Sequence, residues 1–276
     1  MAEVLQIERE PLADGWLEWW RLDSPQTRNA LTDEMVGALR RACAHARADA
    51  GLRMVVLSGN GGYFCAGGSL GSFASAIGRP LEAHEGGDPL VRSNREFGAL
   101  LQDLAGLPQL LVAAVQGSAM GGGLGLVCVA DLVLAASDAV FATPEVTLGI
   151  VPAQIAPFVV RRMGDGRARE WLLGGQRRSA AQAREAGLVH RLIAAADEQD
   201  WQTQLRAHIQ VCAQAAPAAV AATKQLLAAA AHQPLDELLG LGARTFAQAL
   251  RGPEAGTGLK AFANKQAAPW MVQQKG

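Results

Sequence analysis

Long apolar runs, paired cysteines and concentrated positive charge are all missing from this 276-residue sequence. No uninterrupted apolar stretch reaches the ~20 residues needed to cross a bilayer, so no membrane-spanning helix is predicted. The N-terminal residues MAEVLQIERE contain acids and no apolar run, and they predict no signal peptide. The formal net charge is -1 and no basic stripe is present, which gives no electrostatic reason to bind nucleic acid or an anionic membrane surface.

Cysteine and histidine are scarce and scattered. The four cysteines form no CxxC pair, and three lie in apolar or alanine-rich surroundings, as small core residues of a reducing compartment do. The five histidines show no metal-ligand spacing, so no metal site is predicted. Hydrophobic types make up 50% of the chain, enough for a sizeable core. A cytoplasmic enzyme or binding protein is therefore expected.

Short apolar strands alternate with helices over the larger part of the chain. The predicted strands are 4–9, 16–22, 54–57, 110–115 and 132–135. Helix signals begin at Thr32 and at Asn94. This alternation is typical of ββα units around one core, an α/β fold. Alanine-rich helices follow from about residue 197, so we divide the chain into a core, 1–196, and a C-terminal helical region, 197–276.

Two glycine-rich loops, 64–68 and 121–123, each follow a predicted buried strand. Glycine lets a backbone approach a ligand closely, and a helix start, which is predicted after the second loop, leaves its N–H groups free. Two such amides aimed at one point would form an oxyanion hole. The alternative is that these glycines only permit tight turns. Their shared strand-before-loop context favours the oxyanion hole.

Glycines at these positions can also belong to a dinucleotide-binding fingerprint or to a hydrolase motif. Neither loop has the glycine spacing of a dinucleotide-binding fingerprint, and no acid stands at a strand end ~20 residues further on. Residues 67–71 match the G-x-S-x-G pattern of a hydrolase, with Ser69 as nucleophile and Asp131 followed by His190 or His208 as partners. That motif requires the strand to run directly into the serine, whereas the apolar run here ends at Leu57, so the pattern disfavours a hydrolase.

Glu145 is the main candidate for acid–base chemistry. It follows Pro144 between two apolar segments, where a carboxylate would be poorly solvated and its pKa would be raised. The alternative is a turn glutamate that faces water. Asp131 is predicted to brace the strand that follows it. His84 and Glu85, in a glycine- and serine-rich connection, could line a pocket.

Taken in order, these segments resemble the crotonase (enoyl-CoA hydratase/isomerase) superfamily over nearly the whole chain. The matching stretches are RNAL at 28–31, FCAGG at 64–68, GSAMGGG at 117–123, ATPEVTLGIVP at 142–152, EAGLV at 185–189 and KAFANK at 260–265. The resemblance implies a spiral of ββα units with a C-terminal helical trimerisation region, assembled as a homotrimer or a dimer of trimers. It also implies an acyl-CoA thioester substrate, with coenzyme A as part of the substrate and no separate cofactor.

The resemblance further implies roles for particular residues. The amides of Gly68 and Gly122 would hold the thioester oxygen, and Glu145 would move protons. The residues implied to bind the coenzyme A part are Arg28, Ala30, Ala66, Phe262 and Lys265.

Two acids that are usual in this superfamily are missing. Gly125 takes the place of the first catalytic glutamate of standard hydratases, and Ser69 that of the aspartate after the first loop. Single-glutamate members include enoyl-CoA isomerases. However, GLGLV at 123–127 together with IVPAQIAPFVV at 150–160 resembles a bacterial branch that hydrates methylglutaconyl-CoA or isohexenylglutaconyl-CoA. We favour a hydratase, with an isomerase as the alternative and an acyl-CoA-binding protein without activity as a further one.

Overall fold

A computed structural model describes residues 3–69, 74, 77–80 and 87–271, so His84 and Glu85 lie outside the described residues. Its strands are β1 (Leu5–Pro11), β2 (Trp16–Leu22), β3 (Leu52–Gly59), β4 (Leu110–Val115), β5 (Ser118–Met120), β6 (Leu132–Ala136), β7 (Val140–Ala142), β8 (Arg178–Ser179) and β9 (Arg191–Ile193). Its helices are α1 (Asp33–Ala48), α2 (Pro89–Ala105), α3 (Gly122–Val129), α4 (Ala156–Met163), α5 (Asp165–Gly174), α6 (Ala180–Glu185), α7 (Glu198–Cys212), α8 (Pro217–Ala230), α9 (Leu235–Arg251) and α10 (Pro253–Ala263). The 3-10 helices are Pro25–Thr27 and Pro144–Leu148.

The larger sheet has the strand order β1-β2-β3-β4-β6-β9. Its neighbouring strands are parallel except for the antiparallel pair β1–β2, which corresponds to the two N-terminal strands predicted at 4–9 and 16–22. Parallel strands are covered on both faces and therefore consist of continuous apolar runs, which is why β3 and β4 stand out in the sequence. The predicted α/β class is confirmed.

Helices pack on both faces of this sheet. One face carries the larger core, to which α1, α2 and α3 contribute. The other face is covered by α7, whose Trp201, Leu205 and Ile209 recur every four residues and form one apolar side. The sheet is therefore packed between two layers of helices.

A smaller sheet, β5-β7-β8, brings the two glycine-rich loops together. Cys65 of the first loop forms a parallel bridge with Ala119 of β5, and Gly68 forms another with Leu31. The first loop therefore runs beside the strand that leads into the second loop.

Helix α2 begins at Pro89, earlier than the Asn94 expected from the sequence. Asp88 is its N-cap, because its carboxylate accepts hydrogen bonds from the amides of Leu90, at 2.8 Å, and Val91. An acid followed by proline at the first helical position is a strong start signal, which the glycine-rich context obscured. The predicted start of α1 is confirmed, since Thr32 Oγ1 accepts from the amide of Met35 at 3.2 Å.

A buried arginine and a half-buried lysine attach the C-terminal helices to the core. Lys224 of α8 donates to Asp131 Oδ2 at 2.5 Å and to the carbonyl of Gln109 at 2.6 Å. Asp131 also accepts from the amide of Leu111 at 2.7 Å, as expected of a residue that braces a strand. Arg53 of β3 donates to main-chain carbonyls that include those of Ala213, Ala215 and Trp270. None of the helices within the described ranges is both long enough and apolar enough to cross a membrane.

Candidate active site

The first glycine-rich loop directs the amide of Gly68 away from the core. The amide of Leu31 donates to the carbonyl of Gly67 at 2.8 Å. Because the C=O and N–H of a trans peptide point in opposite directions, the Gly68 N–H points away from Leu31. Gly68 is exposed, so this N–H can be reached by a ligand.

The second loop directs the amide of Gly122 outward from the first turn of α3. The carbonyl of Gly121 accepts the helical hydrogen bond from Gly125 N at 3.1 Å, so the N–H of the same peptide, on Gly122, points the other way. This end of a helix also carries the positive end of its dipole. The amide of Gly121 donates to the carbonyl of Ala142 at 2.8 Å, which fixes the loop to β7.

The two loops pack backbone against backbone at Gly67. A Cβ atom built on Gly67 would lie 2.6 Å from the carbonyl oxygen of Met120 and 3.2 Å from the amide nitrogen of Gly122. Its φ of +87° is also a conformation that favours glycine. Only glycine can therefore bring the peptide of Gly68 this close to that of Gly122.

Glu145 reaches the same point from a third segment, the 3-10 helix that follows β7. A Cβ atom built on Gly121 would lie 2.6 Å from Glu145 Oε1, so the carboxyl lies directly against the second loop. Oε2 is buried and has no hydrogen-bond partner among the described residues. Burial raises the pKa of Glu145 above its ordinary value, although its own backbone amide opposes this shift. A raised pKa suits a carboxyl group to take up and release a proton in general acid–base chemistry.

Apolar side chains occupy the place where a second acid would stand. A Cβ atom built on Gly125 would lie 2.5 Å from Ile155 Cγ2 and 3.6 Å from Leu101 Cδ1. A Cβ atom built on Gly122 would lie 2.8 Å from Leu31 Cδ1 and 3.2 Å from Phe97 Cζ. The wall beside the two amides is therefore hydrophobic, and α3 places no second carboxylate beside Glu145.

The sequence and the fold of this chain are similar to those of known proteins. A sequence profile described as enoyl-CoA hydratase/isomerase matches residues 19–273. The chain belongs to this family. It is 42% identical to the Pseudomonas aeruginosa protein AtuE, whose structure superposes with a TM-score of 0.88 and with coverage of 98% of this chain and 100% of that one. An enoyl-CoA hydratase/isomerase from Marinobacter aquaeolei is 36% identical, with a TM-score of 0.88 and coverage of 98% and 99%.

A third protein to which the chain is similar is named as a dehydratase. The carnitinyl-CoA dehydratase of Proteus mirabilis is 31% identical over 259 residues, which cover 90% of this chain and 92% of that protein. Both the structural and the sequence matches extend over almost the entire length of the chain. The resemblance to the crotonase superfamily is thereby confirmed, together with its α/β fold.

The residues implied to bind coenzyme A fall into two groups. Arg28, Ala30 and Ala66 lie together beside the first loop: the amide of Ala66 donates to the carbonyl of Arg28 at 2.9 Å, and the Arg28 guanidinium lies 5.3 Å from the centre of the Tyr63 ring. Phe262 and Lys265 belong to the C-terminal region, at the end of α10, where Phe262 is 83% exposed. Within the described ranges, no three histidine, cysteine or acidic side chains are grouped to hold a metal ion.

Sequence reasoning missed Asn29, the buried residue that organises the first loop. Its Nδ2 donates to the carbonyls of Asn60 at 2.9 Å and Tyr63 at 2.8 Å, and its Oδ1 accepts from the amide of Ser24 at 2.9 Å. Its φ is +57°, a conformation that asparagine tolerates better than most residues. An asparagine between Arg28 and the apolar pair Ala30–Leu31 was the available signal.

Two candidate partners in the hydrolase interpretation of Ser69, Asp131 and His190, are engaged in other contacts. Asp131 is paired with Lys224 and with the amide of Leu111. His190 Nδ1 accepts from the amide of Val133 at 2.9 Å, so this nitrogen cannot donate to an aspartate as a serine triad requires. Both side chains have structural roles around β6.

Proposed function

We propose that this protein is an enoyl-CoA hydratase that adds water across the double bond of an α,β-unsaturated acyl-CoA, with a branched glutaconyl-CoA as the favoured substrate. The observation that supports this proposal most is that the loops of Gly68 and Gly122 pack against each other at Gly67, and that the half-buried carboxyl of Glu145 lies against the second loop. Its Oε2 has no hydrogen-bond partner among the described residues. The preference for a branched glutaconyl-CoA is suggested by the sequence around Gly125 and Ile155 rather than by the geometry of the site.

In the proposed reaction the thioester oxygen accepts hydrogen bonds from the Gly68 and Gly122 amides. Water attacks the β-carbon, the π electrons move onto the thioester oxygen, and the two amides stabilise the resulting enolate, each by about 3 kcal/mol in comparable sites. Glu145 takes the proton that the water loses. The enolate then collapses, and the same carboxyl delivers this proton to the α-carbon, so that one water has been added.

An isomerase is the second candidate, and the apolar surroundings of Gly125 favour it. Standard hydratases hold their water between two carboxylates, whereas Ile155 and Leu101 occupy the place of the second one here. In this version Glu145 removes a proton from one carbon of the acyl chain, which leaves an enolate. Glu145 then returns the proton to another carbon of the chain, and no water is added. The same two amides would stabilise the enolate.

Turnover of crotonyl-CoA in ¹⁸O-labelled water separates the candidates. We expect ¹⁸O at the β-carbon of a 3-hydroxyacyl-CoA product, measured by mass spectrometry. Hex-3-enoyl-CoA, incubated in parallel, shows whether a double bond migrates instead. Migration without hydration would establish the isomerase. A protein that binds these thioesters but never exchanges their α-protons with solvent would be a binding protein only.

The pH dependence of the reaction should reflect the buried position of Glu145. Its pKa is raised from the ordinary 4.5 because burial disfavours the charged form. Glu145 must be ionised to accept a proton from water, so kcat/KM is expected to fall as the pH drops through this raised pKa. A profile of kcat/KM against pH checks this: its acid limb should lie above pH 4.5, and a limb at or below 4.5 would contradict the proposed role.

We also propose that the protein assembles as a homotrimer through its C-terminal helices. Leu235, Leu239 and Phe246 of α9 are 63–70% exposed and lie on one apolar side of the helix. Helices α8, α9 and α10 contribute no buried residue to the described chain. Apolar surface of this extent is typical of an interface between subunits. Light scattering coupled to size-exclusion chromatography should give three or six copies, and a monomer would contradict the proposal.

A further inference from the structure

Two consecutive residues before α4, Gln154 and Ile155, fill spaces that glycines leave on neighbouring helices. Ile155 occupies the space beside Gly125 of α3. Gln154 lies against α2, where a Cβ atom built on Gly98 would be 2.1 Å from Gln154 Oε1. A side chain at either glycine would displace its partner. The side-chain amide of Gln154 therefore packs against α2, and the side chain of Ile155 packs against α3.

A hydrogen bond joins Gln154, in the segment before α4, to Asn94 of α2. Its Nε2 donates to Asn94 Oδ1 at 2.8 Å, and both side chains are half-buried. Asn94, Gly98 and Leu101 lie on one side of α2, because residues three and four apart share a helix face. Leu101 borders Gly125, so the amide pair extends the apolar wall of the site by about two helical turns, ~10 Å along α2.

A guanidinium lies beside this amide pair. Arg95 Nη1 would lie 3.3 Å from a Cβ atom built on Gly98, and Arg95 is exposed. In the part of the chain that the structure describes, Arg95 forms no ion pair, and neither Asn94 Nδ2 nor the second proton of Gln154 Nε2 has an acceptor. Phe97, the residue before Gly98, lies against Gly122, whose amide is the proposed oxyanion donor.

We propose that Asn94, Arg95 and Gln154 bind a carboxylate carried at the far end of the acyl chain. This inference rests on the proposed binding of an acyl-CoA at Gly68 and Gly122, but not on whether the reaction is hydration or isomerisation.

The chemistry of the three side chains fits this ligand. A carboxylate only accepts hydrogen bonds, and the three groups offer donors: the free amide protons of Asn94 and Gln154 and the planar fork of Arg95. An unsubstituted alkyl chain would bury these donors without partners, which costs free energy. The carboxylate would also supply the negative charge that no described side chain gives to Arg95.

Binding of two saturated thioesters tests the inference without any reaction. Glutaryl-CoA is butyryl-CoA with a carboxylate on its terminal carbon, so the pair isolates the proposed contact. By calorimetry, we expect the wild-type protein to bind glutaryl-CoA at least about tenfold more tightly, since a charge-assisted hydrogen bond contributes more than a neutral one. In Arg95→Met the ratio of the two Kd values should fall towards one. In Arg95→Lys it should be intermediate, because lysine keeps the charge and loses the fork.

Arg184→Met, at an exposed arginine of α6, serves as the matched control and should keep the wild-type ratio. Thermal unfolding of each variant reports whether it is folded. An unchanged ratio in folded Arg95→Met would overturn the inference and leave the proposed function standing. A wild-type ratio near one would overturn the inference and the preference for a glutaconyl-CoA, and would leave the proposed enoyl-CoA reaction standing. Failure of both thioesters to bind the wild-type protein would instead contradict the proposed function, and the inference with it.

Discussion

Replacing Glu145 by glutamine is expected to lower kcat by at least ~100-fold, because a positioned acid–base group contributes about that much or more. Glutamine has nearly the shape of glutamate, so the contact with Gly121 is kept and the neighbouring amides stay in place. Oε2 has no hydrogen-bond partner in the described part of the chain, so little folding free energy should be lost with it. Steady-state kinetics and thermal unfolding on the same preparation separate the two effects.

The control for this variant is Glu185→Gln, at a glutamate whose side chain is 72% exposed, and it should leave kcat unchanged. Butyryl-CoA should still bind to Glu145→Gln, because the Gly68 and Gly122 amides are untouched. Near-normal turnover in Glu145→Gln would remove the proton-transfer role from this residue and with it the proposed mechanism.

Introducing the missing acid by Gly125→Glu is expected to destabilise the fold without creating a two-acid site. The new Cβ would lie 2.5 Å from Ile155 Cγ2 in a buried part of α3, and overpacking of this kind costs about 1–3 kcal/mol. The carboxyl would also enter apolar surroundings, which adds several kcal/mol unless it takes up a proton. Denaturant unfolding measures the change in the free energy of unfolding.

The paired variant Gly125→Glu with Ile155→Ala tests whether the clash is the cause. Removing the isoleucine side chain opens the space that the new Cβ needs, so the double variant should be more stable than Gly125→Glu alone. Wild-type stability together with increased hydratase activity in the single variant would show that this position tolerates an acid after all.

The sequence identifies the parts of the site more readily than their arrangement. Residues 64–68 and 121–123 stand out because glycines follow apolar strands, and Glu145 because it interrupts an apolar segment. Their convergence depends on the bridge between Cys65 and Ala119 and on the contact of Gly67 with Met120, which join residues more than fifty positions apart. The resemblance to a known superfamily, rather than local pattern, supplied that pairing.

The surroundings of the missing acid could not be predicted at all. Gly125 was evident in the sequence, but nothing there indicates that Ile155 fills the space beside it. The pair of Asn94 and Gln154 is equally hidden, since sixty positions separate two polar residues of unremarkable context. Such contacts follow from how α2, α3 and α4 pack, which depends on the volumes of many side chains together.

Gly121 links the two chemical functions of the site within one residue. Its carbonyl carbon belongs to the peptide that presents the Gly122 N–H, and its Cα lies against the carboxyl of Glu145. The spacing between the proposed oxyanion donor and the proposed proton carrier is therefore set by main-chain geometry and by the side-chain rotamer of Glu145. With the carboxylate contacts that we propose on α2 and before α4, new substrate preferences can arise there while this spacing is inherited unchanged.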